Sequence, residues 1–266
     1  MQKIIKYAMV ALVAIIAMAG CKKEINWNAR PNPNGNGCQL MNSKTDFSTL
    51  GEVEISYKYD ASGKLISATS DGVTMTYTYS TTKVTGTLEN GEKTELTLTN
   101  GRAVSSYMSD FFPGVSATRT YTYNADGYLT VVKSYLGNVL NSTAELSYTG
   151  GNLTQEKVTY AEDGSVETIT YEYAAEVAIN AYQMADPLSA IVDYIPGSYF
   201  GKTSKNVLKK TVTTSNKLSS VDTQEFNYVF DNKGNATSIV IKSYINNGGS
   251  ANDTSLTKIS LVYNCK

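Results

Sequence analysis

Residues Tyr121–Thr130 read YTYNADGYLT: aromatic, small, aromatic, a polar knot that closes on Gly127, then apolar again. The same phrase recurs along the chain. Tyr57-Lys58-Tyr59-Asp60 runs to Gly63 and Leu65, and looser copies stand at Leu146-Ser147-Tyr148 with Gly151, Val158-Thr159-Tyr160 with Gly164, and Tyr228-Val229-Phe230-Asp231 with Gly234. Leu96-Thr97-Leu98 with Gly101 is a shorter echo, and Tyr77-Thr78-Tyr79 keeps the strand but has Lys83 in the place of glycine. Each phrase is the end of one strand, a turn and the start of the next.

Alternation at period two puts Val73, Met75, Tyr77 and Tyr79 on one face and Thr74, Thr76 and Thr78 on the other, the pattern of a half-buried antiparallel strand. Ile169, Tyr171 and Tyr173 repeat it against Thr168, Thr170 and Glu172. In the turns, Asp60, Asn124 or Asp231 can accept a backbone hydrogen bond from two residues on, and glycine supplies a positive φ without steric cost. Capping, rather than metal binding, accounts for these aspartates. Short hairpins in sequence make a meander of a dozen to sixteen strands, and a sheet that long curls or closes. The expected fold is therefore all-β: one antiparallel meander, strongly curved or barrel-like, with its Tyr, Val, Leu and Ile face on the concave side.

One stretch departs from period two. In MADPLSAIVDYIPGSYFGKTSKN, Asp186 and Pro187 read as N-cap and first helical residue, and Pro196-Gly197 as the stop. Leu188, Ile191, Val192 and Ile195 recur at helical spacing, so a short helix over 187–195 with one apolar stripe is expected. It belongs on the concave apolar face, the alternative being a cover over one open end.

The leader MQKIIKYAMVALVAIIAMAG has a basic start, a short apolar run and small residues before Cys21, so residues 1–20 read as a cleaved signal peptide. Met18-Ala19-Gly20-Cys21 resembles the bacterial lipobox, which makes Cys21 the lipidated residue and the mature protein anchored to a membrane rather than spanning it. The expected location is the bacterial cell envelope, at the outer membrane. Residues 22–37, rich in Asn, Pro and Gly and holding Trp27, read as a flexible tether reaching about 50 Å when extended. Residues 38–266 form a single β domain.

Two further cysteines remain, Cys38 and Cys265. An oxidising location permits a disulfide between them, the preferred reading; two free thiols at the rims are the alternative. Removal of the leader takes away Lys3 and Lys6, leaving 21 basic and 24 acidic residues from the 23 and 24 of the whole chain. No basic field for nucleic acid exists. The chain has no histidine, which excludes Ser-His-Asp and Cys-His nucleophiles and every His-based metal site. No cofactor is expected.

The Tyr-x-Tyr-Asp-x-x-Gly-x-Leu phrases resemble the YD repeats of large bacterial shell-forming proteins. The lipobox, the opening Cys38, the segment leading into YFGKTSKN (199–206) and the final LVYNC (261–265) together resemble a family of uncharacterised gut-bacterial lipoproteins with a porin-like β fold. That resemblance implies a curved antiparallel sheet and carries no functional residue. It does not imply a pore, because a membrane barrel turns its apolar face to lipid between aromatic girdles, and here a lipobox and a polar tail argue against insertion.

Three functional classes follow. A binding module would recognise a glycan, peptide or protein through exposed aromatics, with Tyr194, Tyr199 and Phe200 beside Gly197 and Gly201 as the candidate cluster. A carrier would hold an apolar ligand inside the curve, and a filled interior argues against it. A two-carboxylate glycosidase would need paired acids; Glu145, Glu156, Glu167 and Glu172 stand among Thr and Lys on what reads as the wet face and are expected to be solvated charges. The preferred reading is an anchored binding or structural lipoprotein without catalysis.

Overall fold

The structure is a computed structural model and describes residues 38–48, 51–177, 185–193, 199–246 and 253–265; Cys21, the leader, the tether, Tyr194 and Ile195 lie outside the described residues. Sixteen strands follow in chain order: β1 (Cys38–Asp46), β2 (Glu52–Tyr59), β3 (Leu65–Ser70), β4 (Val73–Tyr79), β5 (Lys83–Leu88), β6 (Lys93–Thr99), β7 (Arg102–Phe112) and β8 (Val115–Tyr123), then β9 (Leu129–Leu136), β10 (Val139–Thr149), β11 (Asn152–Tyr160), β12 (Val166–Val177), β13 (Asn206–Ser215), β14 (Val221–Phe230), β15 (Ala236–Asn246) and β16 (Asp253–Cys265). Each pairs antiparallel with the one before it, and β1 pairs with β16, so the meander closes into a barrel. Closure removes the free edges that an open sheet leaves available for pairing with other chains.

The turns form as their residues dictate. Asp60 Oδ1 accepts from Ser62 N at 2.8 Å and Lys64 N at 2.9 Å, Asn124 Oδ1 from Tyr128 N at 3.0 Å, and Asp231 Oδ1 from Lys233 N at 2.9 Å and Asn235 N at 2.8 Å. Gly63, Gly127 and Gly234 stand at φ of 90°, 88° and 79°, a region that side chains other than hydrogen disfavour. The hydrogen bonds from the Ser62 side chain and the Lys64 backbone hold the Asp60 carboxyl below the ordinary carboxylate value.

A bulge follows the turns of Gly63, Gly101, Gly127, Gly151 and Gly234. Thr122 pairs with Val131 but Tyr123 with Leu129; Lys58 pairs with Ser67 but Tyr59 with Leu65; Ser147 pairs with Gln155 but Tyr148 with Leu153. The extra residue flips the alternation, so the inward positions on these strands are three apart instead of two. Leu40 and Ser43, Leu65 and Ala68, Ala103 and Ser106, Leu129 and Val132, Leu153 and Glu156, Leu208 and Thr211, Ala236 and Ile239 are all buried.

This register explains the two aromatics of the phrase. The second one reaches across to the backbone of the preceding strand: the hydroxyls of Tyr59, Tyr79, Tyr123, Tyr173 and Tyr228 donate to the carbonyls of Leu40, Leu65, Ala103, Leu153 and Leu208 at 2.7, 2.7, 2.8, 2.7 and 2.7 Å. The first one lies diagonal to the residue after the bulge. Tyr57 hydroxyl meets Ser43 Oγ at 3.0 Å, Tyr121 meets Ser106 Oγ at 2.8 Å, and Tyr171 donates to Glu156 at 2.8 Å. Where that residue is Ala68, the Tyr77 hydroxyl is buried without a hydrogen-bond partner among the described residues.

Over its described residues, 187–193, the expected 187–195 helix does not form, and the described residues contain no α-helix. Asp186 does cap, its Oδ1 accepting from Leu188 N at 3.0 Å, and Ile191 N and Val192 N both reach Leu188 O, at 3.1 and 3.2 Å. Asp193 is held by polar partners on the wall, and so few residues do not repay helix nucleation. The stripe still packs inward as expected: Leu188, Ile191 and Val192 join the single apolar core lined by all sixteen strands.

Candidate functional site

The barrel has two unlike rims. At the cysteine rim lie the turns of Gly63, Gly101, Gly127, Gly151 and Gly234 and both cysteines, and the Cys38–Cys265 disulfide closes the circle there. The connection from β12 to β13 enters the barrel as residues 185–193 and then crosses this rim as a strap, residues 199–205. Tyr199 O accepts from Ala103 N at 2.9 Å, Lys202 N donates to Gly127 O at 3.0 Å and Lys205 N to Gly151 O at 2.9 Å. Gly201, at φ of 77°, passes so close to the β8–β9 turn that a Cβ there would sit 2.4 Å from Gly127 O. The YFGKTSKN stretch is thus fastened to the start of β7 and to the β8–β9 and β10–β11 turns.

Inside, two polar groups hold the 185–193 plug to the wall. The Asp193 carboxylate, buried at 6% exposure, makes an ion pair with Arg119 and accepts from Ser106 Oγ, with the Tyr121 hydroxyl 3.4 Å away. Across the lumen, Tyr171 hydroxyl lies between Glu156 and the Pro187 carbonyl, the latter at 3.5 Å. Burial pushes the Glu156 carboxyl up to about 7; the Tyr171 hydrogen bond pulls it back and the Glu167 carboxylate adds to the rise.

Toward the far rim the inward face changes character. Arg119 lies opposite Ser106; Glu167 lies opposite Val158 and Ser215; Asp222 lies opposite Thr213 and Ile245; Gln224 lies opposite Thr211 and Ser243. Arg119, Glu167, Asp222, Gln224 and Thr213 are half-buried, so the barrel interior opens there onto a polar mouth. Tyr160, at its edge, donates to Glu167 at 3.2 Å. Asp222 Oδ1 is buried with no hydrogen-bond partner among the described residues, and burial holds this carboxyl above its ordinary value. A carboxylate oxygen left dry and unpaired is an acceptor waiting for a donor.

The aromatic cluster expected at the strap is not exposed. Phe200 is 5% exposed and packs edge-on to Tyr121 at 5.1 Å, because its neighbour Gly201 presses the strap onto the turn. Tyr199 is half-buried against the core, and Tyr194 lies outside the described residues. Of the four glutamates expected to be solvated, Glu145 and Glu172 are exposed and Glu167 is half-buried. Glu156 is the correction: 1% exposed, it was turned inward by the bulge after Leu153. Sequence reasoning missed Arg119, Asp193 and Asp222. The signal available for Asp222 was its place four residues before Phe226 on an uninterrupted strand.

Comparisons with known proteins bear on the fold. The profile of a domain of unknown function (DUF4595) with porin-like fold matches residues 52–238. Among solved structures, a porin-like protein from Bacteroides uniformis ATCC 8492 is similar over 85% of this chain and 96% of its own, at TM-score 0.63 and 19% identity. A porin-like protein from Bacteroides vulgatus ATCC 8482 is similar over 85% and 98%, at TM-score 0.57 and 17% identity. No curated protein matches the chain.

Proposed function

We propose that this chain, which belongs to the family of domains of unknown function with porin-like fold (DUF4595), is an envelope-anchored, non-catalytic binding module that takes a hydroxyl-rich ligand, a glycan, at the polar mouth of its barrel. The observation that carries the reading is the unpaired, buried Asp222 Oδ1 beside Gln224 and Thr213, with the Glu167–Tyr160 pair a few strands away. Carboxylates and amides accept from sugar hydroxyls, and a tyrosine edge offers a ring for stacking. The apolar half of the interior argues against the carrier: plug and wall form one contiguous core, with Leu188, Ile191 and Val192 in the space an apolar ligand would need.

Anchoring through acylated Cys21 and the 22–37 tether belongs to the same proposal. A glycan array followed by calorimetry on the mature chain tests the mouth. Asp222→Asn should weaken the best glycan at least about tenfold, as loss of a hydrogen bond to a charged group implies. Unchanged affinity in Asp222→Asn and Gln224→Ala would refute the site, and selective capture of a peptide instead would change the ligand class. Turnover of any arrayed glycoside would refute the non-catalytic reading.

A further inference from the structure

The two rims differ in charge as well as in shape. The cysteine rim carries Lys64, Arg102, Lys202, Lys205 and Lys233 against Asp60, Asp126, Glu176 and Asp231; Lys83 there is bonded to Glu95. The far rim carries Asp71, Glu89, Glu92, Glu162 and Asp163 against Lys93 and Lys217. On these residues the first rim is net positive by one and the second net negative by three, on a chain that is net acidic. Several bases of the first rim stand on aromatic rings: the Arg102 guanidinium is 4.7 Å from the Tyr123 ring centre and Lys202 Nζ 5.3 Å from that of Tyr128. Tyrosine with lysine or arginine is the composition that settles at a bilayer interface.

The chain's own connectivity says which surface this rim meets. Cys38 opens β1 at the cysteine rim and is bonded to Cys265, so the sixteen residues 22–37 leave the barrel at that rim and nowhere else. We infer that the cysteine rim is a seat on an anionic bilayer: the phosphate-bearing headgroups of the membrane holding the Cys21 anchor meet Lys202, Lys205, Arg102, Lys64 and Lys233, and the acidic far rim with its polar mouth points away. The inference rests on the anchor reading above. A tether with a reach of about 50 Å lets the barrel tumble at the surface; attraction of one rim and repulsion of the other select a single orientation.

Vesicle flotation of the mature chain carrying Cys21→Ser, which removes the acyl contribution, tests the seat. The chain should float with vesicles containing phosphatidylglycerol and remain unbound with pure phosphatidylcholine, and added salt should release it. Lys202→Gln with Lys205→Gln should weaken flotation roughly thirtyfold, from about 1 kcal/mol per basic residue. Lys217→Glu at the far rim should leave flotation unchanged. Equal binding to both vesicle types, or flotation indifferent to the strap variant, would overturn the seat. The anchor is tested separately by the mass of the membrane-extracted native chain: an unacylated Cys21 would remove the anchor reading, and the flotation result would still decide the rim.

Discussion

Glu156→Gln should change how stability depends on pH, and the size follows from the structure. The carboxyl has an ordinary value of 4.5 and is held at about 7 in the barrel, chiefly by burial. The folded chain therefore binds this proton more tightly than the unfolded one. Its contribution to stability is full below 4.5 and is lost as pH rises through about 7. At 1.36 kcal/mol per unit, the native chain should lose about 2.5 kcal/mol between about pH 5 and pH 8, or about 5 to 10 °C in Tm for a chain of this length. Glutamine keeps the shape and still accepts from Tyr171, but does not titrate.

The expected result is that the variant matches the native chain near pH 5 and exceeds it near pH 8. The turn carboxyls of Asp60, Asp163 and Asp231 are lowered and act in the opposite sense, below their ordinary value of 3.8, so they do not enter this window. Thermal unfolding at both pH values reads the difference, and Tyr171→Phe, which removes the restraining hydrogen bond, should move the transition to higher pH. Native and Glu156→Gln chains that lose stability in parallel would refute the burial argument.

Three further outcomes are expected. Replacing Cys38 and Cys265 by serine opens a loop whose ends are 227 residues apart; denaturant unfolding should show a loss of up to about 5 kcal/mol on the chain-entropy account. Gly201→Ala must place a Cβ against Gly127 O at a positive φ, so chemical denaturation should show a loss of at least about 1 kcal/mol, and faster exchange of the Lys202 amide would locate it at the strap. Ala68→Ser supplies the partner that Tyr77 lacks and should stabilise by about 1 kcal/mol, an effect that a Tyr77→Phe background abolishes; equal effects in both backgrounds would deny the pairing.

What was legible in the sequence was what depends on local chemistry. Period-two alternation gave the strands, and Asp60, Asn124 and Asp231 with their glycines gave the turns. Closure was left open because the pairing of β1 with β16 is a contact between chain ends that no local pattern encodes. The bulges were hidden for a physical reason. One extra residue reverses the faces of everything after it, so counting by twos from Leu153 sends Gln155 and Lys157 inward and Glu156 out, the reverse of what the register shows. The described part of the stripe, Leu188, Ile191 and Val192, was genuine as a buried surface but not as a helix, since spacings of three and four also suit successive tight turns, and the pull on Asp193 is exerted by Arg119, 74 positions away.

The variation among the repeated phrases follows from the same register. The residue after each bulge and the first aromatic position lie diagonal on one buried face, and in five pairs their polarities match: Ser43 with Tyr57, Ser106 with Tyr121, Glu156 with Tyr171, Val132 with Leu146 and Ile239 with Leu261, whereas Ala68 with Tyr77 and Thr211 with Phe226 are mixed. A buried hydroxyl needs a partner and a buried aliphatic wall tolerates none, so an exchange at one position constrains the other. The second aromatic escapes this constraint, because it bonds a carbonyl that every residue supplies. That is why tyrosine persists at 59, 79, 123, 173 and 228 while the first position before them is tyrosine at 57, 77, 121 and 171 and phenylalanine at 226. The apolar face this builds points into the barrel, the opposite of a membrane pore, so the porin-like strand arrangement is here held together by its own filled interior.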